Sequence, residues 1–199
     1  MNTEAQNIEA QTFVESWDNN KLAMLLFLLS EGTFFAFLII AYVYYHAVSN
    51  TGVEAAKVLD PLKTGIYTIF LLSSSFTVWI AEKSLRRGNQ RAFRGWLLVT
   101  IILGAVFLFG QGSEYLHLYG QDVTISRNIF GTSFFTLTGF HGFHVLLGLI
   151  SLAVLFVLAL KGEFAEKHSS AVETVALYWH FVDWVWVVIF SVIYLWTVF

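Results

Sequence analysis

Five long apolar runs, at about residues 22–45, 64–81, 95–115, 128–160 and 171–199, decide what this chain can fold into. Each approaches or exceeds the ~20 residues an α-helix needs to cross a hydrocarbon core. Apolar side chains occupy all sides of these runs, whereas membrane strands alternate apolar and polar residues. Charged residues make up only 13% of the chain, about half the ~25% of a soluble domain. The sequence therefore predicts an all-α integral membrane bundle of five transmembrane helices. A polar tail over residues 1–21 precedes a single membrane domain over residues 22–199.

The connections carry turn chemistry. Pro61 stands just before the second run, where its missing N–H costs least. Arg87-Gly88-Asn89 breaks the chain after that run, and Lys161-Gly162 gives a glycine stop to the fourth. Lys21, Lys83, Arg86, Arg87, Arg91, Arg94, Lys161 and Lys167 fall on one side of the membrane. Lys57, Lys63 and Arg127 fall on the other. The basic side faces the cytoplasm, which puts the N-terminus cytoplasmic and the C-terminus outside. The tail holds four acids and one base, with no basic-then-apolar start, so no cleavable signal is expected. There is no cysteine, which removes disulfides and thiolate metal sites. No basic stripe suits nucleic acid. No paired interrupted helices suggest a transporter built from inverted halves.

Ionisable residues at intramembrane positions are few: Glu31, Glu114, His141, His144, His180 and Asp183. Such residues mark bundle interiors, cavities or ion paths. His141 and His144 lie three apart in 138-TGFHGFHVLLG-148 and share a helix face, as do His180 and Asp183. At ~1.5 Å per residue, Glu31 and these two pairs reach similar depths, while Glu114 falls at the outer edge. Three readings follow from spacing. Imidazoles and carboxylates are metal ligands, which would make an autonomous metal-dependent membrane enzyme. Glu31, His141, His144 and Asp183 also suit a proton relay. The third reading is packing: Asp183 accepts a hydrogen bond from a histidine or tryptophan of a neighbouring helix. Gly139, Gly142 and Gly148 then let that helix approach. Glu31 is either a neutral acid donating one hydrogen bond or a proton-antenna or lipid-contacting acid. Trp17, Trp79, Trp96, Tyr115, Tyr119, Tyr194 and Trp196 are placed to anchor the interface, and Trp179, Trp184 and Trp186 sit deeper.

Five segments in order resemble subunit III of the haem–copper oxidases. 29-LSEGTFFAF-37 resembles its S-E-x-x-F-F helix, and 71-LLSSSFTVWIAEKSLRRGN-89 its following helix and basic loop. 112-GSEYLHL-118 resembles its E-Y segment, 138-TGFHGFHVLLG-148 its T-G-F-H-G-x-H helix, and 177-LYWHFVDWVWVVIFSVIYLW-196 its last helix. The resemblance covers about Leu22 to Phe199 and fits the short five-helix bacterial form.

The resemblance implies an accessory, non-catalytic subunit of an oxygen reductase that moves protons, with cytochrome c oxidase first. A quinol oxidase, or a similar partner of nitric oxide reductase, is the alternative. It implies no cofactor in this chain, with haem and copper in partner subunits I and II. Small subunits or a supercomplex are further partners, and the location is a bacterial inner (plasma) membrane. It implies bound phospholipid, stabilisation of subunit I and sustained proton uptake. Glu31 then fills the family's buried glutamate position, and His141, His144, His180 and Asp183 its polar positions between the last helices. The seven-helix form often carries an arginine in the inner third of its penultimate helix. The stretch 154-VLFVLAL-160 has none. Lys161, Arg86, Arg87 and Arg91 are the expected substitutes for contact with a lipid headgroup.

Overall fold

In the computed structural model, residues 19–49, 58–126, 129–164 and 170–196 are described. They form five long helices and, among the described residues, no strand. These are α1 (Asn19–Ser49), α2 (Pro61–Arg86), α3 (Gln90–Gly120), α4 (Ile129–Lys161) and α5 (Ser170–Phe190), the last continued by a π-helical turn, Ser191–Leu195. All five are long and apolar enough to cross a membrane. The chain is a multi-pass membrane protein. Its helices run past the apolar stretches at several ends, because polar first and last turns remain helical in the aqueous boundary.

Local chemistry explains the ends. Pro61 is not ahead of α2 but is its first residue, and the Asp60 carboxylate caps the Leu62 and Lys63 amides at 3.1 and 3.0 Å. A proline there gives up an N–H that has no partner in a first turn. Gly88 at φ 75° and Gly162 at φ 85° supply the left-handed residues that end α2 and α4. Asn89 then caps α3 through the Ala92 amide. Trp17, Lys57, Arg127, Lys167 and most of the polar tail lie outside the described residues.

α5 is the most enclosed helix and α1 the least. α5 packs against α1, α2 and α4, and α3 closes the bundle between α2 and α4. At the end where α1 and α5 begin, Glu173 of α5 pairs with Lys21 of α1 and, at 3.2 Å, with Arg86 of α2. Arg86 also pairs with Glu82 one turn earlier.

Glycines set the close approaches, though not as expected. Gly139, Gly142 and Gly148 of α4 receive side chains rather than a neighbouring backbone. A Cβ at Gly142 would lie 2.8 Å from Gln111, and one at Gly148 2.7 Å from the Trp179 indole. Trp179 also fills the hollow at Gly104 of α3. One fully buried indole is thus seated between two helices that lack side chains where it lies.

Gly148→Leu should overpack this seat and cost about 1–3 kcal/mol. The expected result is a lower heat-inactivation midpoint in mild detergent, whereas Gly95→Leu, where nothing lies within 4 Å, should leave the midpoint unchanged.

Candidate functional site

The intramembrane polar residues divide among separate interhelical sites. The first joins α1 to α4. His144 Nδ1 lies 2.7 Å from the Phe140 carbonyl, and His144 Nε2 lies 3.1 Å from Glu31 Oε2. A carbonyl only accepts, so Nδ1 carries a proton and donates it. The contact at Nε2 then needs one proton between imidazole and carboxyl. Either Glu31 is a neutral acid donating to Nε2, or an imidazolium donates to a carboxylate. In both cases the pair is neutral overall and holds one shared proton. Phe35 covers it, its ring 5.0 Å from that of His144. The Glu31 side chain stays 23% exposed against 9% for His144, so the carboxyl is the more open end of the pair.

His141, three residues earlier, does not join that pair. Its fully buried ring stacks on Trp186 of α5, centroids 4.8 Å apart at 27°, and meets the edge of Phe107 of α3. Neither of its ring nitrogens has a hydrogen-bond partner among the described residues. A separation of three residues gives neighbouring positions on one side of the helix, yet here the two rings turn to different neighbours.

The second site joins α2 to α5. Asp183 accepts a hydrogen bond from the Ser75 hydroxyl, and Ser75 Oγ also lies 3.0 Å from His180 Nδ1. The expectation of a histidine or tryptophan donor to Asp183 is corrected: the serine stands between carboxylate and imidazole. The neighbouring rungs follow the same plan. Trp179 donates its indole N–H to Ser74 Oγ at 2.8 Å, and Trp186 donates to Thr68 Oγ1 at 2.9 Å.

The third site lies toward the other end of the bundle and centres on Glu114 of α3. Thr64 of α2 donates to one carboxylate oxygen at 2.9 Å, and Tyr194 donates to the other at 2.7 Å. Tyr194 is therefore no interface anchor. It is fully buried within the π turn of α5. Tyr115 likewise turns inward, its hydroxyl 2.8 Å from Thr138 Oγ1, while Gln111 donates to the Thr138 carbonyl at 2.7 Å. By contrast Trp79, Trp96, Tyr119 and Trp196 are exposed. Trp179 and Trp186 are interior, and Trp184 faces outward.

Among the described residues no direct hydrogen bond connects the Glu31–His144 pair to Asp183, and His141 bonds to neither. Nor does any group of three or more histidine or acidic side chains among them converge with metal-ligand spacing. Of the basic residues expected at a lipid headgroup, Arg87, Arg91 and Lys161 are exposed, and Arg86 is engaged by Glu82 and Glu173.

Sequence reasoning missed the hydroxyl row on α2. Its signal was present: Thr64, Thr68 and Ser75 recur at four- and seven-residue spacing inside an apolar helix, opposite two tryptophans seven apart. Gln111, a lone amide deep in α3, was a comparable signal.

The amino-acid sequence matches a known family. The family model described as cytochrome c oxidase subunit III matches residues 3–198. The chain belongs to the cytochrome c oxidase subunit III family. Cytochrome c oxidase subunit 3 of Synechocystis sp. is 36% identical over 180 residues, covering 89% of this chain and 76% of that protein. The protein of the same name from Corynebacterium diphtheriae is 39% identical over 173 residues, covering 85% and 84%. That from Rattus norvegicus is 37% identical over 186 residues, covering 88% and 69%. The chain is a haem–copper oxidase subunit III by family.

Two double-mutant cycles test the first two sites of this subunit III chain. Glu31→Leu and His144→Leu should be non-additive, with a coupling of about 0.5–2 kcal/mol, the range for hydrogen bonds between membrane helices. Ser75→Ala and Asp183→Ala should couple similarly. Glu31 with Asp183, which share no partner, should be additive in the same denaturation assay.

Proposed function

We propose that this chain is the accessory subunit III of a proton-moving haem–copper oxygen reductase, cytochrome c oxidase in the first instance. In this reading it packs on subunit I in a bacterial plasma membrane, near subunit II, with its N-terminus cytoplasmic. Haem and copper belong to those partner subunits, and this chain adds no catalytic group. The observation that carries the reading is the family match over residues 3–198. It is supported by the way the intramembrane ionisable groups are spent: Glu31, Asp183 and Glu114 each bind a side chain of another helix. Side chains committed to neighbouring helices hold a bundle in one shape, which is what an accessory subunit contributes.

Two finer roles belong to the same reading. The first is lipid binding. A cleft of about 260 Å³ runs between α1 and α4, lined by Leu38, Tyr42, Tyr45, Thr132, Thr136 and Leu137. Its apolar walls suit an acyl chain. Lys161, Arg87 and Arg91, at the opposite, basic end of the bundle, are available to a phosphate headgroup in that leaflet. The second is support of proton uptake. The Glu31–His144 pair carries one shared proton and keeps its carboxyl partly open, so it is the group best placed to exchange a proton with its surroundings.

Two comparisons of purified complexes test the proposal. A complex stripped of this chain should keep its haem spectrum and initial oxygen uptake, yet lose activity several-fold faster during turnover. Glu31→Gln should also keep both starting properties, because Glu31 lies in none of the redox sites this reading assigns. Loss of the haem spectrum on removing the chain, or on the single substitution, would count against an accessory role.

A further inference from the structure

The face formed by α2 and α5 ends in polar groups that hydrocarbon cannot satisfy. Ser75 has one hydroxyl proton and two partners. If it donates to Asp183, His180 Nδ1–H must donate to Ser75. If the proton order is reversed, Ser75 donates to an unprotonated Nδ1. Either way Nδ1 is turned inward and used. Nε2 is the other end of a half-buried ring and makes no hydrogen bond to the described residues. One turn on, on the same face, Trp184 is 70% exposed, and its indole N–H also makes no hydrogen bond to them.

Depth makes this unusual. The spanning helix runs 26 residues from Ser170 to Leu195, and His180 and Trp184 flank its midpoint, about 15 and 21 Å from its start. Tryptophan ordinarily sits at the two interfaces. On α2, next in the chain to the Ser75 that meets His180, Phe76 is 61% exposed and its ring stacks at 5.7 Å on that of Trp79, 46% exposed. Acyl chains cover aromatic rings well, but they offer neither a donor nor an acceptor to an imidazole or an indole.

We propose that this α2–α5 face is where a transmembrane helix of another subunit packs, presenting a hydrogen-bonding side chain to His180 Nε2 and Trp184 Nε1 at mid-membrane depth. The assignment of that helix to a different polypeptide rests on the oxidase-subunit reading above. The requirement for a polar protein partner rests on the face alone. Large aromatic residues around a central polar contact are also the composition that dominates binding energy at protein interfaces.

The chain contains no cysteine, so Trp184→Cys, labelled with benzophenone maleimide in a tagged chain that is recovered after irradiation of native membranes, gives a single photo-crosslinking probe within this chain. Phe76→Cys is a second probe that leaves both polar groups in place. Ile102→Cys, on the exposed side of α3 at 53% exposure, is the control. The expected result is an adduct between each α2–α5 probe and another polypeptide of the complex, at least several-fold above the control. The interface is overturned by lipid adducts alone, by adducts to a second copy of this chain, or by equal polypeptide yields at Ile102. If a haem-bearing complex is recovered in those cases, the oxidase reading survives. If no haem-bearing subunit is recovered with the chain, both readings fall.

Discussion

A polar atom inside a membrane-spanning helix has no water to turn to, so its partner must come from the protein. Apolar side chains cannot by themselves specify how these helices meet, because lipid tails solvate them as well as another helix does. The bundle is specified instead by a small set of polar pairs and by glycine hollows. α2 offers hydroxyls at Thr64, Thr68, Ser74 and Ser75, and α5 answers with Trp186, Trp179 and Asp183. At the far end Glu114 of α3 receives both Thr64 and Tyr194, so three helices meet on one carboxylate. The π turn at Ser191–Leu195 shifts the register of α5 in its last turns, the segment that delivers Tyr194 to this site.

The same constraint explains why the ionisable residues divide as they do. His141 and His144 belong to one motif but serve different neighbours. His144 holds α1 through Glu31, whereas His141 is a flat aromatic plate against Trp186. A metal centre would have required these side chains to point at one place. Among the described residues they are instead spread over separate contacts: Glu31 with His144, His180 and Asp183 with Ser75, and Glu114 with Tyr194. In the proposed function, the pair with a shared proton and partial exposure is the one that meets the surroundings, and the others hold the shape.

Much of this was legible in the sequence. Five apolar runs gave five helices, because helix length is dictated by bilayer thickness. The glycine stops at Gly88 and Gly162 were legible because a left-handed residue at a helix end has few alternatives to glycine. The identity of the partners was not. Spacing places His141 and His144 on one side of α4, but which helix lies opposite depends on how five nearly uniform cylinders are arranged. For the same reason Tyr194 read as an interface anchor: position along the helix was known, and rotation was not. Serine as the partner of Asp183 was hidden because a hydroxyl in an apolar helix is usually satisfied by its own backbone, as Thr33 is by the Leu29 carbonyl.

The most direct test of the account is the reduced-minus-oxidised visible spectrum and subunit composition of whatever co-purifies with a tagged copy of this chain in mild detergent. The account predicts haem absorbance carried by larger subunits, in fixed ratio to this chain. Recovery of the chain alone, holding a stoichiometric metal of its own and no haem-bearing partner, would contradict it.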